Sequence, residues 1–219
     1  MSVVFVQENN TAIPAGTGTV TSPTLTFTAG NNLVFVFYMF NVTPDSVSSI
    51  TDTFSAHNTY NRLSGSSSYN ANVFSGTAME IWYSENVSGG SGTITATHLG
   101  GGGGGGMLIG EWSGLTKTSS FDNTNNVHGF ASNPTLGVSL TNPIGDLVIA
   151  GLVTDGGAAS FTNMTARDAA ANLYGSAVTS APGTFTATTT AGAGNYVFTI
   201  AGFKTAMTAQ KRTTVCIMT

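Results

Sequence analysis

The side chains able to carry chemistry are sparse: ten Asp and Glu, six Lys and Arg, three His and one Cys in 219 positions. Glycoside hydrolysis needs two carboxyl groups facing one cleft, and Glu80, Glu85 and Glu111 are the acids that neighbouring strands could bring together. Glu80 is two residues from Trp82, so the pair shares one face of a strand. That spacing suits a catalytic acid beside a platform, and equally a satisfied polar pair beside a packed indole. His57, His98 and His128 stand in no HxxxH spacing, and no serine occupies a Gly-x-Ser-x-Gly elbow. Asp45, Asp52, Asp122, Asp155 and Asp168 fall in or near loops where carboxylate oxygens can meet calcium, but none belongs to the dense Asp/Asn alternation of a dedicated loop. Cys216 is alone, which excludes an internal disulfide and a multi-cysteine metal site. The inventory predicts no enzyme and no cofactor.

The run Gly100 to Gly106 invites a phosphate-loop reading, but no Lys-Ser/Thr follows it and no helical pattern begins after it. It reads instead as a hairpin tip, or as an extended stretch where another backbone approaches closely. As a tip, Gly100, Gly103 and Gly106 would contact a neighbouring subunit. Trp82, Trp112 and Tyr83 could form a flat platform for sugar rings, but their apolar neighbours Ile81, Ile109 and Leu115 favour packing inside a sheet. Half of the basic residues, Lys204, Lys211 and Arg212, fall in the last sixteen positions of a chain with net charge −4. Nucleic acid needs a broader basic stripe, so it is not an expected partner. The end of the chain, TTVCIMT, is β-branched and apolar, which makes Val215 and Ile217 candidate assembly contacts through a strand exchanged with a neighbour's edge. A terminal strand in the chain's own sheet, or disorder, would explain the same residues.

Positioning these residues falls to strands. Alternation punctuated by Gly, Asn, Pro and Ser recurs throughout, while helical periodicity is scarce. Strands are predicted over 19–28, 32–40, 47–53, 78–84, 92–98, 107–112, 135–140, 146–153, 160–166, 184–190 and 195–203, with one short helix over 166–173 and a long Asn- and Ser-rich crossover over 117–133. The unbroken apolar run 32–40 predicts a strand buried on both faces. The two halves also match in order: Pro23-Thr24-Leu25 with Pro134-Thr135-Leu136, Leu33 to Phe37 with Leu147 to Gly151, and GTITAT at 92–97 with GTFTAT at 183–188. This predicts a single antiparallel β-sandwich of jelly-roll type from two pseudo-repeated four-strand halves, with an arm or edge strand over 1–18, the sandwich over 19–206 and a tail over 207–219.

The segment from Ile50-Thr51-Asp52-Thr53 to Asn58-Thr59-Tyr60, then EIWYSENVSGG at 80–90, Glu111-Trp112-Ser113-Gly114 and Ile200 to Lys204, resembles a domain recurrent in phage structural proteins and bacterial exported proteins. The likeness spans about residues 19 to 206; it departs at His57 and in the polyglycine run. Its motifs are turn and strand residues, so the resemblance implies a jelly-roll-like sandwich and no chemistry.

Charged residues make up only 7% of the chain, against roughly 25% in an ordinary soluble domain. A surface of Thr, Ser, Asn and Gly costs less to desolvate against a neighbour than one of Lys and Glu. No run reaches the roughly 20 apolar residues of a membrane span, and residues 1–7 lack the basic region of a signal peptide. Together these features predict a non-enzymatic virion protein, a capsid or tail decoration or building subunit whose partners are its own copies and other virion proteins. The alternative is an extracellular carbohydrate-binding or adhesive module meeting host surface glycans through its aromatic residues.

Overall fold

A computed structural model describes residues 2–16, 18–40, 47–63, 68–74, 76–98, 103–141, 144–167, 173–181 and 183–206. These form strands β1 (Val4–Ile13), β2 (Gly18–Thr21), β3 (Leu25–Phe27), β4 (Asn32–Phe40), β5 (Val47–Asp52), β6 (Asn61–Arg62), β7 (Ser68–Asn70), β8 (Thr77–Ser84), β9 (Gly90–Gly92), β10 (Ile94–His98) and β11 (Gly105–Ser113) in the first half. The second half contributes β12 (Phe121–Ala131), β13 (Thr135–Ser139), β14 (Leu147–Thr154), β15 (Ser160–Phe161), β16 (Thr165–Ala166), β17 (Leu173–Val178), β18 (Thr184–Thr190) and β19 (Gly194–Phe203). No helix occurs among the described residues.

The first large sheet runs β1-β11-β4-β8-β6 with β7 also on β8, and the first small sheet runs β2-β10-β5. The second large sheet runs β12-β19-β14-β17-β16, the second small sheet β13-β18-β15, and β3 pairs separately with β9. All named pairings are antiparallel. Three hydrophobic layers fix how the sheets stack. Leu33, Phe35, Phe37 and Ile109 of the first large sheet meet Val20, Ile50, Ile94 and Ala96 of the first small sheet. Val148, Ala150, Phe198 and Ile200 meet Leu136, Val138 and Ala187 in the same way in the second half. Between the two large sheets, Val34, Val36, Ile81 and Trp112 pack on Ile149, Val153, Tyr174 and Phe203. The order is therefore small, large, large, small, where the sequence predicts only two layers.

This stacking explains β4, whose side chains are buried on both faces as its apolar run predicts, and β14, equally buried. The halves are also stitched by backbone where the chain leaves β11 and β19. Leu115 pairs with Thr205, Thr116 N–H donates to Lys204 O (3.0 Å), and Ala206 N–H donates to Gly114 O (2.7 Å).

Several expectations need correction. The strand predicted over 19–28 is two strands, because Ser22 still bonds Ile94 through backbone and hydroxyl but Pro23 has no N–H with which to continue the ladder. Of the predicted helix over 166–173, residues 168–172 lie outside the described residues; at its ends Ala166 pairs with Gly175, and Arg167 N–H donates to Tyr174 O. The predicted crossover loop over 117–133 contains β12, an eleven-residue strand on the edge of the second large sheet. Neither half is a four-strand unit. Leu33 faces the first small sheet while Leu147 faces the opposite large sheet, so matching them in sequence inverts the faces. Leu25 lies in β3 and Leu136 in β13, with unlike partners. The GTITAT and GTFTAT segments do coincide, each forming the central strand of a small sheet with a buried alanine, Ala96 or Ala187.

Candidate functional site

The three candidate acids, Glu80, Glu85 and Glu111, all make hydrogen bonds within the scaffold. Glu80 and Trp82 do share a face of β8, with Trp82 Nε1 donating to Glu80 Oε2 (3.1 Å). Glu80 is fully buried, its other oxygen accepting Val47 N–H (2.8 Å), and Arg62 closes an ion pair on Oε2 at 3.0 Å. A carboxylate so enclosed is costly unless paired, and Arg62 supplies the pairing. Glu111, equally buried, accepts Thr28 N–H (2.8 Å) and Asn31 Nδ2 (2.6 Å) on Oε1 and Gln7 Nε2 (2.5 Å) on Oε2. It thereby ties the edge strand β1 and the turn before β4 to β11. Glu85 holds the Ser119-Ser120 backbone, Asp122 accepts Thr141 N–H (2.6 Å), and Asp155 receives Asn195 through both backbone and side chain.

Asp52 organises the turn that follows β5. Its Oδ1 accepts Phe54 N–H (3.0 Å), and its Oδ2 accepts Asn58 N–H and Nδ2 (3.0 Å each) and the Tyr60 hydroxyl (2.7 Å). Burial opposes ionisation, but the bonds from Tyr60, Asn58 and Phe54 outweigh it and hold the carboxyl below its usual range. Burial, and then the bond to this carboxylate, push the Tyr60 hydroxyl well above its usual range. His57 Nδ1 lies 3.3 Å from Asp52 Oδ1, with its ring mostly in solvent. Sequence reasoning listed Asp52 among loop acids and missed this hub; the signal was the Asp52, Asn58, Tyr60 spacing. Asp146 was also missed: it is fully buried, takes Thr205 N–H on Oδ1 (2.8 Å), and burial raises its carboxyl.

His98, at the end of β10, is buried with neither ring nitrogen bonded, and burial lowers its basicity. Among the described residues no three His, Cys, Asp or Glu side chains group closely enough to hold a metal ion. A shallow cleft of about 270 Å³ beside Asn163, Val178, Thr184 and Phe185 has no ionisable lining. Asp45 and Asp168 lie outside the described residues.

The two indoles of the candidate aromatic platform are buried, and Tyr83 is half-buried. Trp112 is 1% exposed and Trp82 7%, while Tyr83 packs on Phe121 and Phe203. These rings are packing groups, because the face a sugar would need is occupied by the adjoining sheets. The glycine run also serves inward where it is described. Gly106 is buried in β11, and a Cβ on it would lie 2.5 Å from the Tyr38 ring, so it is no surface contact. Gly103 is exposed and its N–H donates to Phe40 O (3.2 Å). Gly100, Val215 and Ile217 lie outside the described residues.

The two small sheets each turn one face outward. Alternation sends Val20, Ile50, Ile94 and Ala96 inward, so the outer face of the first carries Thr19, Thr21, Ser49, Thr51, Thr95 and Thr97. The second presents Thr135, Ser139, Ser160, Thr184, Thr186 and Thr188. The hydroxyls pair across strands: Thr21 with Thr95 (2.9 Å), Ser139 with Thr184 (3.1 Å), Ser160 with Thr190 (2.5 Å), and Thr162 with Thr188. Neither array contains a charge or an aromatic ring. The chain matches no family model, no curated protein and no solved structure.

Proposed function

We propose that the chain is a non-enzymatic structural protein of a virion, a decorating or building subunit of capsid or tail that assembles with its own copies and with other virion proteins. The observation carrying this reading is the pair of charge-free hydroxyl faces that end the stack. A neutral face whose polar groups already satisfy one another meets a neighbour without the penalty of an unpaired buried charge. The acids lend further support, since Glu80, Glu111 and Asp52 brace β8, β11 and the turn after β5. In this reading the fold is jelly-roll-like with an internal repeat, which the matching strand orders of the two large sheets and of the two small sheets favour. The resemblance in outline of 50–60 and 80–90 to a domain of phage structural proteins and bacterial exported proteins points the same way. Light scattering on the purified chain across a concentration series tests the proposal. Mass growing with concentration into ordered species is expected; a strict monomer at every concentration contradicts it.

A further inference from the structure

We propose that the chain's own segment 213–217 adds a strand to the open end of β17 and fills the uncharged cleft beside it. The occupant is intramolecular, so the proposal holds whether or not copies assemble.

β17 pairs with β14 along its whole length, but β16 covers its other side only at Gly175 and Ser176. Tyr174 O accepts Arg167 N–H on that outer side, whereas Thr179 N–H donates to Asp146 O (2.9 Å) and Thr179 O accepts Gly145 N–H (2.8 Å) on the β14 side. Backbone groups alternate sides along a strand, so Val178 and Ser180 turn their N–H and C=O outward. Among the described residues nothing bonds them. β8 holds the same place in the first large sheet, and the segment that leaves it is closed: Asn58 Oδ1 accepts Ser88 N–H (2.8 Å). The side chains at the β17 edge match its open backbone. Asn163, Ala177, Thr184 and Phe185 line a cleft of about 270 Å³ without an ionisable group. Val178 is 49% exposed, and so is 63% of Ile144, next to Gly145 at the same corner. Unpaired main chain beside an uncharged cleft is what an extended, apolar segment recognises.

The place where the described residues end selects that segment. Thr205 N–H donates to Asp146 Oδ1 (2.8 Å), and Asp146 in turn bonds Thr179, which lines the cleft. Ala206 follows directly, so the chain leaves at the corner that holds the open edge. Asp146 Oδ2 is buried there with no partner among the described residues, and Lys211 and Arg212 are carried past it. The stretch Met207 to Arg212 spans about 20 Å when extended, enough to bring Thr213 alongside Val178. Thr213, Thr214, Val215 and Ile217 are β-branched and uncharged, as a strand requires, and alternation sets Val215 and Ile217 together on one face. A short tether holds the segment at an effective concentration on the order of millimolar, which a neighbour's copy does not match in dilute solution.

Amide hydrogen exchange by NMR on the full chain, at a dilution where it sediments as a monomer, compares the wild type with the Val215→Asp, Ile217→Asp double variant. Val178 and Ser180 N–H should exchange about tenfold faster or more in the variant. Ile149 N–H, in the covered β14 ladder, should keep its rate and show that the fold is intact. Equal rates at Val178 and Ser180 in the two proteins overturn the proposal. Protection that appears only as concentration rises gives the edge to a neighbour's segment and overturns it as well.

Discussion

Asp52 shows how one buried carboxylate sets a loop. Replacing it with Ala leaves Phe54 N–H, Asn58 N–H and the Tyr60 hydroxyl short of an acceptor, which should cost about 2–3 kcal/mol of stability in a urea titration. Because folding depresses its pKa below the usual 3.8, the stabilisation is complete above that value and drains as pH falls through the folded-state value. His98 works in the same direction for a different reason. Burial keeps its ring neutral, so the unfolded chain takes up a proton first as pH drops below 6.5, and stability falls with it. Melting curves between pH 7 and 5 should show this loss in the wild type and much less of it in His98→Leu; equal losses would contradict the assignment. Glu80→Ala removes the acceptor of Val47 N–H and Trp82 Nε1 along with the Arg62 ion pair, and should cost about 1–3 kcal/mol. The sequence revealed that Glu80 and Trp82 share a face because period-two alternation is local. It could not reveal that Arg62, Val47 and Glu80 meet, since those contacts depend on sheet order.

At the scale of single strands, legibility followed side-chain chemistry. β4 and β14 read as buried strands because their apolar residues are continuous. β12 was hidden because its residues, FDNTNNVHGFA, include poor strand formers. Asn123 and Asn125 explain why they serve: their side-chain oxygens accept Thr124 and Asn126 N–H (2.9 Å each), and their Nδ2 groups reach Ser139 O (3.0 Å) and Gly137 O (2.9 Å) on β13. The asparagines thus cap the strand's open edge and tether it to the small sheet, a device against unwanted edge pairing. Asn123→Ala with Asn125→Ala should cost about 1 kcal/mol per bridge and speed aggregation followed by turbidity; an unchanged rate would remove the capping role. Gly105 belongs to the same scale. A Cβ there would collide with the Tyr38 carbonyl inside the β11–β4 ladder, so Gly105→Ala should lower stability by about 3 kcal/mol.

For the whole molecule, composition spoke more clearly than pattern. The shortage of charge was visible at once; the continuous apolar runs of β4 and β14 also signalled strands covered on both faces, which a two-layer sandwich does not provide, but they did not show which sheets lay on either side. The register of the two halves was equally obscured, since a one-residue slip between Leu33 and Leu147 keeps the apolar pattern and reverses its direction. The shared layer between the large sheets and the Leu115–Thr205 pairing bind the halves into one body. Calorimetry should therefore show one transition whose calorimetric and van't Hoff enthalpies agree, and two resolved transitions would contradict a common core.

A structural subunit of a virion assembles with its own copies. Electron microscopy of the concentrated wild-type chain tests this directly. Ordered assemblies that grow in number with concentration are the predicted result; dispersed single particles at every concentration would contradict it.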